Sequence, residues 1–201
     1  MAFLYLYIMK FLTLGLLFFL TTTGFSQDKP LSNDDRGKLI FYEVVESKDV
    51  SKGSLNDRVT AFFKKTGKSL KVQSAEADSV TVASGKFVIH KTALVMSRPS
   101  GEVLYNFYVE TKNGKYRFWL TDFRFIPYQR DRYSNFVPST TVATPLEHKP
   151  GKLNAAEWSG YVKATTREVN AFALRFKDAM LNKHVVLPVE KTVPVVPTQK
   201  W

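Results

Sequence analysis

The chain has 201 residues, a net charge of +11 and no cysteine, which excludes disulfides, thiol catalysis and a lipid-modified cysteine. It is long enough to bury an ordinary core as one domain without covalent staples. The basic balance favours polyanionic partners such as acidic glycans, anionic headgroups or nucleic acid, and does not choose among them.

The N-terminus reads as a targeting segment. Lys10 precedes the apolar run Phe11–Leu20, and Gly24 and Ser26 stand three and one residues before a cut that leaves Gln27 first. This is the layout of a secretory signal peptide over residues 1–26, starting at Met1 or Met9. A membrane anchor needs about 20 apolar residues, and Lys10 interrupts this stretch, so no span is expected after cleavage. Loss of residues 1–26 takes away one lysine and no acid, lowering the charge from +11 to +10. Export without disulfides suits the periplasm or cell envelope of a Gram-negative-type bacterium, or full secretion. It also argues against nucleic acid as the partner.

Residues 27–36 are polar and contain Pro30, which predicts a flexible lead-in to a single α+β domain over 37–182. Gly37–Ser47 is rich in β-branched and aromatic residues and predicts a strand; apolar residues on both parities place it within the sheet. Ser54–Gly67 predicts a helix, with Ser54 and Asp57 as a capping pair and Gly67 as the stop. Leu55, Val59, Phe62 and Phe63 share its core face. Ser69–Ser74 and Asp78–Lys91 predict two strands. The second changes apolar parity near Gly85, which predicts a bulge there, and Arg98–Gly101 predicts a turn.

Glu102–Tyr128 is an aromatic hairpin around Asn113-Gly114, a pair suited to a type I′ turn with positive φ at both residues. A two-residue loop sets Lys112 opposite Lys115. Phe107, Val109, Tyr116, Phe118 and Leu120 then fall on the helix side. The second face pairs Glu110 with Arg117, Tyr108 with Trp119, Asn106 with Thr121 and Leu104 with Phe123, while Arg124 points to the core side. The second face is too aromatic for plain solvent and too charged for a core. Three readings compete for it: a cover supplied by the following loop or a second copy, a platform for a ligand or partner, and a nucleic-acid stacking sheet.

Residues 127–152 hold several prolines and little periodicity, which predicts a long surface loop. Its first part, Tyr128–Tyr133, offers Arg130 and Arg132 as an anion-binding loop; the alternative is a solvated loop in which Asp131 pairs with both. Asn154–Leu181 predicts a long helix capped by Asn154 and Glu157, with a stripe of Trp158, Val162, Thr166, Val169, Phe172, Phe176 and Met180. Residues 183–201 alternate prolines with valines and predict an extended tail.

The run GKLIFYEVVES leading into SLNDRVTAFFKK, and the hairpin KNGKYRFWLTDFR, resemble a bacterial secreted domain-of-unknown-function family with a TATA-binding-protein-like fold. The resemblance covers about residues 37–126, and the last helix loosely. The elements in chain order, β-α-β-β-β-β-α, predict an α+β layer of five strands with two helices on one face, and the resemblance implies that the antiparallel sheet is curved. It implies no activity and no catalytic residues.

His90, His148 and His184 have no partner at metal-ligand spacing, and no phosphate loop, dinucleotide fingerprint or nucleophile elbow occurs. No cofactor is expected. The sequence therefore predicts a non-enzymatic exported module that binds an envelope protein, glycan or anionic ligand. Its candidate face is Tyr108, Glu110, Arg117, Trp119 and Phe123. The alternatives are a structural subunit that self-associates, or a hydrolase whose site assembles only in space.

Overall fold

A computed structural model describes residues 28–74, 80–93, 96–148, 151 and 154–181. The expected leader and proline tail lie outside the described residues. The elements are β1 (Ser32–Asn33), β2 (Leu39–Glu46), α1 (Lys52–Thr66), β3 (Leu70–Ser74), β4 (Thr81–Ala93), β5 (Met96–Lys112), β6 (Lys115–Arg130), β7 (Phe136–Pro138), β8 (Thr144–Pro145) and α2 (Ala155–Leu181). The antiparallel sheet runs β1-β2-β6-β5-β4-β3, with β7 and β8 paired to β6. Five of these strands are the expected ones, and β1, β7 and β8 are short additions at its margins. Both helices pack on one face, as expected for this α+β class.

The core lies between that face and the helices. Phe107 and Phe118 from the sheet meet Phe172 and Phe176 of α2 edge-on, with centroids 4.9 to 5.1 Å apart. Phe62 of α1 meets Phe176 in the same way at 5.1 Å. Edge-to-face pairs of this kind add roughly 0.5–1.5 kcal/mol each beyond area burial. On α2 the buried polar position is Thr165, fully inside with its hydroxyl on the Tyr161 carbonyl, where the sequence stripe had placed Thr166.

Several local expectations are corrected. The N-cap of α1 lies three residues earlier than the expected Ser54: it is Ser51, its hydroxyl accepting from the Ser54 amide at 3.2 Å. Gly67 does end the helix, with its N–H on the Phe63 carbonyl. Glu157 does not fold back as a cap partner but reaches Lys91 of β4 at 2.9 Å. Arg98–Gly101 is not a turn, since β5 begins at Met96 and Gly101 already pairs with Ile89. The β4 irregularity falls at Ile89/His90, not at Gly85. Parity along β4 is in fact constant through Gly85: Ala83, Phe87 and Ile89 face the core and Val82 faces out. Gly85 is small because the Tyr105 ring crosses it; an added Cβ would lie 2.5 Å from the Tyr105 hydroxyl.

The Asn113-Gly114 loop fixes the expected register, Lys112 opposite Lys115. Its geometry is not type I′, because only Gly114 takes positive φ. Asn113 is held from outside the hairpin: its side-chain oxygen accepts from the Lys52 amide at 2.8 Å, while the Gly114 amide donates to the Val50 carbonyl at 2.9 Å.

The segment after β6 is not a free loop. After β7 it returns along β6, where β8 pairs with Arg124 and Phe125. Leu146 is then buried, its amide on the Phe123 carbonyl and its own carbonyl accepting from the Trp158 indole.

At Gly101 the backbones approach closely: an added Cβ would lie 2.3 Å from the Ile126 carbonyl oxygen and 2.5 Å from Phe125. Gly101→Ala should therefore lower stability by at least about 1–3 kcal/mol, the cost of overpacking a filled site. Urea unfolding reads this as a lower midpoint at constant slope; an unchanged midpoint would refute the close approach.

Candidate functional site

The outer face of the sheet, away from both helices, carries an aromatic ladder. Tyr42 of β2, Trp119 of β6 and Tyr108 of β5 lie side by side in register. Tyr108 and Trp119 are parallel within 2° with centroids 5.1 Å apart, and Tyr42 stands 6.4 Å from Trp119, tilted by 38°. Coplanar rings would collide at 5.1 Å, so Tyr108 and Trp119 turn their faces to each other. The ladder thus presents ring edges outward, which suits a docked partner better than a stacked base.

Ion pairs line one end of the ladder. Glu110 accepts from Arg117 Nε at 2.5 Å and lies 3.4 Å from Lys112 Nζ, and the Arg117 guanidinium sits 5.5 Å from the Trp119 ring centroid. The hydrogen bond from Arg117 is the main reason the Glu110 carboxyl is held below the usual carboxylate range. Of the predicted face, Tyr108, Glu110, Arg117 and Trp119 come together.

Phe123 does not join them. It is fully buried on the helix side, because a bulge intervenes: Asn106 pairs with Thr121 and Leu104 with Arg124, so two β6 residues stand against Tyr105 alone. Asp122 takes the left-handed conformation, φ 58°, and inverts the parity of everything after it. The same inversion turns Arg124 outward, correcting the expectation that it faces the core. Asp122 is locked from both sides, paired with Lys38 and accepting from Asn106 Nδ2 at 3.2 Å.

Beyond the bulge the face becomes a polar cleft of about 390 Å³, with Lys71, Ser84, Lys86, Leu104, Asn106 and Arg124 along it. Glu102, buried at its margin, accepts from Lys86 Nζ at 2.8 Å and from the Tyr128 hydroxyl at 2.9 Å. Burial, and then the bond to Glu102, push the Tyr128 phenol up to about 12.

Arg130 and Arg132 do not share Asp131. The Asp131 carboxylate accepts from the Tyr133 and Asn135 amides, both at 2.8 Å, and so closes the turn between β6 and β7. Arg130 instead lies over the Phe136 ring and Arg132 over Tyr133. Nor does the following segment cover the ladder, because it pairs along β6, and Tyr42 stays 41% exposed. Tyr42 was missed in the sequence because nothing there paired β2 with β6. Its alternation with Phe41 and Val45 was the available signal. Among the described residues, no three acidic or histidine side chains gather as a metal site, and no helix is long and apolar enough to cross a membrane.

Residues 41–126, from β2 to β6, match the family model described as a domain of unknown function (DUF4468) with TBP-like fold. That segment is similar to the DUF4468 family. Two crystal structures resemble the whole fold. One is a TBP-like protein from Parabacteroides distasonis ATCC 8503, with TM-score 0.57 and 17% identity, covering 74% of this chain and 96% of that one. The other is a DUF4468 family protein from Bacteroides ovatus ATCC 8483, with TM-score 0.54 and 15% identity, covering 76% and 91%. At such identities the likeness establishes fold alone. No curated protein matches the sequence. The matched segment contains the whole ladder and the bulge, but not α2.

The bulge gives a pH signature. Burial raises the Asp122 carboxyl, but the bonds from Lys38 and Asn106 outweigh it and hold it below the ordinary 3.8. A depressed folded value contributes stability that is complete above about pH 5 and is lost as pH falls through the folded value. Asp122→Asn should therefore flatten the acid limb of stability against pH below about 5 while leaving the slope near neutrality unchanged. Equal acid limbs in wild type and variant would overturn the assignment.

Proposed function

We propose that this chain is an exported, non-enzymatic binding module of the bacterial envelope that engages an acidic partner, glycan or protein, through the outer sheet face. The observation that supports it most is the half-exposed ladder of Tyr42, Trp119 and Tyr108 beside Arg117 and Lys115, on the face opposite both helices. Aromatic groups with an arginine at the centre of a polar patch are the composition that interaction surfaces favour. The leader-like N-terminus supports export, and the charge remaining after its removal supports a polyanionic partner.

A second copy is the runner-up occupant, because Tyr42 and Val44 place exposed apolar surface side by side on β2. Light scattering separates it: a monomer unaffected by Tyr42→Ser removes the self-association reading.

For the leading reading, chromatography on an immobilised acidic glycan gives the test. Arg117→Gln with Lys115→Gln should lower the eluting salt concentration clearly, and Lys163→Gln with Arg167→Gln, on α2, should lower it little. Equal losses in the two double variants would reduce the effect to net charge and sink the proposal.

A further inference from the structure

A separate cleft lies on the helix side, where β3 has not yet begun and, among the described residues, β4 beyond Gly85 has no strand partner on that edge. It measures about 600 Å³ and opens between the last turn of α1, the C-terminal half of α2 and residues 86–88. That volume is in the range of sites for small organic ligands. Its floor is aromatic: Phe87 and Tyr105 are stacked 4.1 Å apart, and Phe172 meets both edge-on, with Phe62 alongside.

Two polar groups in this cleft are unused. Tyr105 is 4% exposed, yet among the described residues its hydroxyl has no hydrogen-bond partner. Among the described residues no fully enclosed side-chain polar atom lacks a partner, so this hydroxyl opens onto the cleft that Tyr105 lines, where it can donate to a bound group. Burial pushes this phenol above its usual range, opposed only by the nearby Arg175 charge, so at neutral pH it is a donor. Arg175 lines the cleft, and among the described residues it makes no salt bridge. Lys65 adds positive charge at the rim. The rim acids are not free counterions, since Glu168 lies 3.9 Å from Arg167 Nε and Asp178 has an interaction of its own.

A donor phenol and a guanidinium above an apolar floor match one chemistry. We infer that this cleft binds a small amphiphilic monocarboxylate, its acyl or aryl body on Phe62, Phe87 and Phe172 and its carboxylate between the Tyr105 hydroxyl and Arg175. The site is opposite the ladder and stands whether or not the outer face binds anything.

Decanoate below its micellar concentration is a suitable probe, titrated calorimetrically into the full chain with decanol as the uncharged control. Saturable one-site binding is expected, with decanol at least tenfold weaker. Tyr105→Phe, which keeps the ring stack, should weaken decanoate about tenfold, the usual value of a hydrogen bond to a charged group. Arg175→Gln should weaken it at least as much. Arg175 is exposed, so this variant keeps the test decisive should Tyr105→Phe fail to fold. No saturable binding to wild type, decanol binding as tightly as decanoate, or full affinity in Arg175→Gln would each overturn the inference.

Discussion

The bulge at Asp122 is the constraint on which the rest depends. Up to Thr121 the hairpin sends even-numbered β6 residues to the helices, and from Phe123 onward it sends the odd-numbered ones. Without that inversion, Phe123 and Phe125 would face solvent and Arg124 would be driven into an aromatic core. A one-residue slip in a strand exchanges its faces wholesale, and here the slip is built in. An aspartate in the left-handed region is tolerated because Lys38 and Asn106 hold its carboxylate. The ion pair thus serves the register more than any catalytic purpose.

From this follows the division of the outer face. Before the bulge it is an aromatic ladder closed by Glu110 and Arg117, and after it a polar cleft with buried Glu102 at its margin. The helix face has its own division. Where α1 and α2 both lie over the sheet, the phenylalanines interlock. Before β3 begins, the packing beside β4 opens into a cleft, and the Tyr105 ring lines it.

Much of this could be read from residues alone, and the failures have common physical causes. The register around Asn113-Gly114 was legible because a two-residue loop leaves no freedom. The turn's backbone was not, because Lys52 and Val50, far away in sequence, hold it. Four members of the outer site were legible from period-two alternation. Phe123 was not, because the bulge carries no glycine and depends on Lys38 from another strand region. Gly85 signalled something real, but a ring passing over a strand and a break in its ladder look alike in sequence. The segment after β6 looked like loop because strands of two or three residues carry no periodicity.

The contact between the hairpin loop and the start of α1 has a kinetic consequence. Asn113 accepts from the Lys52 amide across 61 residues of sequence, and Gly114 ties back to Val50. Contacts so distant form late, after the entropy of closing the intervening chain has been met. Helix α1 has a cap and an apolar stripe of its own, so it has the means to nucleate early. Its first turn nevertheless becomes complete only when β5 and β6 have paired. A locally encoded helix thus takes its final timing from the slowest, most non-local part of the fold.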